Sequence, residues 1–139
     1  MIRALRAIPT CLGAAAFAIG MTAGAQASRP RPASEDFVLH CSGCHGLEGT
    51  GVTGIAPDLH EIGALMRSPA GRDYLGRVPG VAQAPLDDAA LARLLNWVLV
   101  EIAHTVPDPP YTAAEIGLLR ARPLRDPQAA RRGLLPPNP

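Results

Sequence analysis

Lysine is missing from this 139-residue chain; all thirteen of its basic residues are arginines. They stand against twelve acidic residues, for a formal net charge of +1. So even a balance offers no basic field for nucleic acid, which excludes that class of partner. Aromatic residues are scarce: Phe17, Phe37, Tyr74, Trp97 and Tyr111 are all there are. A domain of this size buries limited apolar surface, so with so few rings something else must fill the middle. No alternating run is long enough for a strand, and no internal repeat is present. The apolar stretch near the start is too short for a comfortable transmembrane helix.

That stretch has the form of an export signal. Arg3 and Arg6 give a basic start, residues 11–21 are apolar, and Ala25-Gln26-Ala27 supplies a small-x-small cleavage site. Residues 1–27 are therefore expected to be a cleaved secretory signal peptide. Cys11 is a poor lipoprotein site, because Ile8-Pro9-Thr10 lacks the usual Leu and small-residue lead-in. Cleavage leaves eleven arginines against twelve acids, and only two cysteines, Cys41 and Cys44. The mature protein is expected in the periplasm, without a membrane span. In that oxidising setting a C-x-x-C pair has to be a disulfide, a metal site or a cofactor site.

The mature chain reads as helical throughout. Ser34 is placed to cap a short helix through Phe37 to Cys41. Residues 46–57 hold several glycines and Pro57, and read as a loop. Residues 59–66 form a short helix ended by Pro69 and Gly71, and 71–77 give another turn or two. Residues 78–85 read as a loop between prolines. The strongest helix starts at Asp87 and runs to about His104, with Leu91, Leu94, Leu95, Val98, Leu99 and Ile102 on one stripe. Pro107, Pro109 and Pro110 stop it. Thr112 and Glu115 have capping-box form and open a helix ending near Arg120; Asp126-Pro127 can start one last turn. The division expected is a domain over 28–106 and a Pro/Arg-rich extension over 107–139.

Chemistry concentrates in Cys41-Ser42-Gly43-Cys44-His45, a C-x-x-C-H motif. Two thiols one helical turn apart can each add to a vinyl group of one porphyrin. The residue after the second thiol is then held against the ring, where its imidazole reaches the iron. The pattern thus predicts one covalent haem c, with its iron, on Cys41, Cys44 and His45. The haem also supplies the bulk that the scarce aromatics do not. Other readings are weaker. Zinc would need two further ligands, such as His40 or His60, and the usual second pair is missing. A redox dithiol would want a βαβ context. A plain disulfide would not require His45.

From Glu35 to about His104 the order and spacing resemble the small monohaem class I cytochromes c. Phe37 lies four residues before Cys41, Pro57 twelve after His45, and Leu59 two further on. The resemblance implies an all-α cytochrome c-like domain around one haem. It implies that the Pro57 carbonyl holds the other nitrogen of His45, that Leu59 packs on the haem, and that Phe37 meets Trp97 where the first and last helices cross. The family's sixth iron ligand, a methionine just before the last helix, has no counterpart here: residues 78–85 read VPGVAQAP. Gln83 stands nearest that position, and Met66 is the only methionine after the leader. His60 and His104 are further candidates; His40 reads as a helix residue.

The expected role is therefore a periplasmic one-electron carrier and not an enzyme, since no other residue set looks catalytic. The partner expected is a redox protein such as a periplasmic dehydrogenase or terminal oxidase, docked through the extension. The missing loop methionine leaves a second possibility, a haem protein that binds or senses a small gas at an open iron face. A peroxidase would need acid–base groups on that face, and none stands out.

Overall fold

The computed structural model describes residues 29–134; the expected signal peptide lies outside them. Helices and loops account for the described residues, with no strand beyond a single bridge between Val52 and Ala56. No helix among them is long and apolar enough to cross a membrane.

Helix α1 runs Ala33–His40 and helix α2 runs Ser42–His45, with Cys41 as the joint. Ser34 does not cap α1: the helix starts two residues earlier than such a cap would allow, behind Pro32, with no side-chain cap. Asp36 in its first turn is buried and accepts from Arg31 at 3.1 Å.

Residues 59–67 form a 3₁₀ helix, not an α-helix. Asp58 caps it by accepting from the His60 N–H at 2.8 Å. The apolar spacing explains the choice. Leu59, Ile62 and Leu65 recur every third residue, and a helix of three residues per turn stacks them on one line. All three are buried. Helix α3, Pro69–Arg77, starts earlier than the sequence suggested, because Ser68 accepts from Gly71 N–H and Pro69 takes the first helical position. The Val78–Pro85 stretch is not wholly a loop either: Pro79–Ala82 makes one turn, α4, again with proline leading.

Helix α5 runs Asp88–Trp97, capped by Asp87, which accepts from Ala90 N–H at 2.7 Å. A π-helical turn over Val98–Ile102 extends it, and the chain leaves the helix at His104, as the spacing predicts. Phe37 and Trp97 meet where α1 crosses α5, ring centroids 5.6 Å apart and tilted by 46°, a favourable arrangement for two rings.

Helix α6, Ala113–Arg120, has Thr112 as cap, accepting from Glu115 N–H at 3.2 Å. The reciprocal half of the capping box is not made. Glu115 instead takes both Nε and Nη2 of Arg72 at 2.6 Å each, tying α6 to α3. Arg72 also lies 4.1 Å over the Tyr111 ring, and the Tyr111 hydroxyl donates to the Arg72 carbonyl. Asn96 holds the Tyr111 backbone from α5 through two hydrogen bonds. Helix α7, Pro127–Arg132, is capped by Asp126.

Residues after 106 share the core of those before it. Tyr111, Ile116 and Leu119 are buried in the same cluster as Phe37, Leu65, Leu91 and Leu99. Residue 106 marks a change in composition, not a separate packing unit, at least as far as Leu134.

Candidate cofactor site

A cavity of about 890 Å³ opens inside this cluster, near the upper end of the roughly 300–1,000 Å³ that cofactor and ligand sites span. Its walls are mostly apolar. Phe37 comes from α1, Leu59 and Ile62 from the 3₁₀ helix, Tyr74, Leu75, Val78 and Val81 from α3, α4 and the joint between them, and Leu91, Leu94, Leu95 and Val98 from α5 and the turn after it. Cys41, Cys44 and His45 lie together on this wall.

The geometry of His45 is fixed from behind. Its Nδ1 lies 3.0 Å from the Pro57 carbonyl oxygen. A carbonyl only accepts, so Nδ1 carries the hydrogen and Nε2 is left with the lone pair. The loop that brings Pro57 there depends on Gly51. Its φ is +71°, and a Cβ at that position would lie 2.5 Å from the carbonyl oxygens of Ala56 and Pro57. The Gly51 N–H donates to the His45 carbonyl at 2.9 Å, so one residue anchors both sides of the contact.

The two thiols are free and differ in setting. Cys44 is exposed. Burial, with Asp36 and Cys44 nearby, pushes the Cys41 thiol up to about 11. Redox-active dithiols depend on the opposite, a lowered thiol. Among the described residues no group of three or more His, Cys, Asp or Glu is gathered so as to hold a metal ion. The zinc and dithiol alternatives therefore find no support in the arrangement.

The candidates for a second ligand stand apart from this site. Gln83 is exposed and does not line the cavity. Arg120 explains why. Its guanidinium takes the carbonyls of Ala82, Ala84 and Leu86 at 3.1, 2.6 and 2.7 Å. With both neighbouring residues buried and their carbonyls held by α6, Gln83 faces solvent. Met66 is not on the cavity wall either; its sulfur lies 3.9 Å from the Tyr111 hydroxyl. In the three-residue period of its helix Leu65 takes the inward place beside it. His60 is bound to Asp58 through Nδ1 at 2.6 Å, and neither it nor His104, which is exposed, lines the cavity. The His60 contacts hold the Asp58 carboxyl below its usual range.

His40 does line it, and its Nε2 is buried with no hydrogen-bond partner among the described residues. Pro127, Gln128 and Arg131 of α7 close another part of the wall. The sequence marks the start of α7 at Asp126-Pro127 but not its place on this wall, because nothing in a six-residue Pro/Arg segment tells where in the fold it docks.

No protein-family model, curated protein or solved structure matches this chain.

Proposed function

We propose that this protein is a monohaem c-type cytochrome that carries single electrons between redox proteins outside the cytoplasm. The observation behind the reading is the His45–Pro57 contact beside two free thiols on one wall of a large, mostly apolar cavity. These residues fit the group. Cys41 and Cys44 each have a thiol to form a thioether, and His45 has Nε2 free for the iron while Pro57 orients the ring and raises its basicity. Leu59 and the α5 side chains give the cavity an apolar wall suited to the face of the ring. When bound, the haem supplies a one-electron ferrous–ferric couple, and the chain's residues hold it, tune it and keep it from being lost.

A second reading has its own support. The cavity wall carries neither Gln83 nor Met66, which favours an iron with a free or weakly held face that binds a small gas. One set of spectra tests both. The protein is matured in a host able to attach haem, and absorption is recorded ferric and ferrous, with and without carbon monoxide. Haem that stays with the chain through denaturation, and is lost from a Cys41→Ala, Cys44→Ala double variant, is the expected result. Absence of haem from the matured protein would falsify both readings. Low-spin spectra insensitive to carbon monoxide favour the carrier; high-spin ferric spectra with ready carbon monoxide binding favour the gas-binding protein.

A further inference from the structure

Four arginines keep only a minor part of their side chains exposed: Arg72 at 16%, Arg77 at 26%, Arg120 at 19% and Arg131 at 22%. A withdrawn guanidinium loses hydration, so its donors need acceptors. Three of the four have them. Arg72 binds Glu115 at 2.6 Å, Arg77 binds Asp73 at 2.6 Å, and Arg120 binds three carbonyls and Asp88. Arg131 differs. Its one ion-pair contact among the described residues is Glu61 Oε2 at 3.9 Å, beyond hydrogen-bond range, and that carboxylate is 64% exposed. Among the described residues it is also the only arginine on the cavity wall.

We propose that Arg131 is a positioning residue for the cofactor, its guanidinium taking a carboxylate of the haem. This rests on the haem reading above. The chemistry of the ring supports the match. A porphyrin of this kind carries two carboxylates on the edge away from its vinyl groups. The thiols that would hold the vinyls come from the α1–α2 segment, so a cation for the carboxylates has to come from another element. Helix α7 is another element, and Arg131 is its contribution to the wall with Gln128 and Pro127. A guanidinium–carboxylate fork is among the stronger hydrogen-bonded pairs. On this account the C-terminal segment is part of the cofactor pocket, not a tail on a finished domain. The charge next to the ring also bears on the couple, because a nearby cation disfavours the more positive ferric state.

The test is potentiometric titration of the haem-loaded full chain as wild type, Arg131→Gln, Arg131→Lys and Glu61→Gln, with thermal midpoints alongside. Arg131→Gln should lower the potential, shifting the ferrous–ferric equilibrium about three- to tenfold; tenfold is 59 mV for one electron. Arg131→Lys should recover most of the shift. Glu61→Gln, which removes a competing anion, should move the potential the other way. An unchanged potential in Arg131→Gln overturns the proposal. So does a shift of the same sign in Arg131→Gln and Glu61→Gln, since a mere latch between the two residues would respond alike to losing either end. If Arg131→Gln does not fold, the Lys and Glu61 variants decide: wild-type-like potential in the first and a rise in the second support the assignment, and failure of either sinks it. Wild-type protein without haem refutes the underlying function instead.

Discussion

Cys41 should be a slow thiol in the folded, unmodified chain and a faster one once the chain unfolds. The perturbation is burial, which lifts the thiol from 9.0 to about 11. At pH 7.5 a thiol at 9.0 is about 3% ionised and one at 11 about 0.03%, so the reactive thiolate falls about 100-fold. A more basic thiolate is a better nucleophile, with a Brønsted exponent of about 0.4–0.5, and over two units that returns about six- to tenfold. The net expectation is alkylation about ten- to fifteenfold slower than in the unfolded chain, before any steric shielding. Protein expressed without haem attachment is treated with iodoacetamide in buffer and in urea, and modification at each cysteine is followed by peptide mass spectrometry. Cys44, exposed three residues away, serves as the internal comparison. Equal Cys41 rates in buffer and urea would refute the burial argument. The folded value lies above the unfolded one, so the stabilisation this thiol contributes is present below pH 9. It is lost as pH rises toward 11, and the unmodified chain should lose stability across that window.

Two further outcomes follow from the framework of the site. Arg120→Ala removes a guanidinium that holds the Ala82, Ala84 and Leu86 carbonyls. Water can replace part of that set, so the expected loss is about 2–3 kcal/mol, or a thermal midpoint lower by about 10–20 °C for a domain near 100 residues. A drop under about 3 °C would show the loop to be held by its apolar contacts alone. Gly51→Ala forces a Cβ onto a backbone at φ +71° and against the Ala56 and Pro57 carbonyls. Strain and clash together should cost about 2–4 kcal/mol, read by urea denaturation; a variant within about 0.5 kcal/mol of wild type contradicts the assigned role of this glycine.

Sequence alone showed the starts of α5, α6 and α7, but it placed a cap at Ser34 that is not made and read the helices led by Pro69 and Pro79 as a helix end and a loop. Asp87, Thr112 and Asp126 each accept from a backbone N–H three residues on, as their positions suggest. Cys41, Cys44 and His45 are neighbours in the chain, and the His45–Pro57 contact that the cytochrome c resemblance implies is made at 3.0 Å. What the sequence did not show depends on contacts distant in the chain. Gln83 stood at a suggestive position, but α6 reaches across with Arg120 and leaves it facing solvent. Glu115 looked like half of a capping box, yet an arginine 43 residues earlier claims its carboxylate. The 3₁₀ character of residues 59–67 was readable in hindsight from the three-residue period of Leu59, Ile62 and Leu65, a period that also fits an α-helix over so short a span. The docking of α7 had no local signal at all.

The cavity draws its wall from both ends of the described chain, with Phe37 and Cys41 at one end and Gln128 and Arg131 at the other. This has a consequence for the order of events at birth. A chain that emerges from its N-terminus presents the thiols and His45 long before α7 exists. Until α7 is in place the cavity lacks the part of its wall that Pro127, Gln128 and Arg131 supply. Removing α7 would therefore take Pro127, Gln128 and Arg131 from the wall and open the cavity on that side while leaving Cys41, Cys44 and His45 in place.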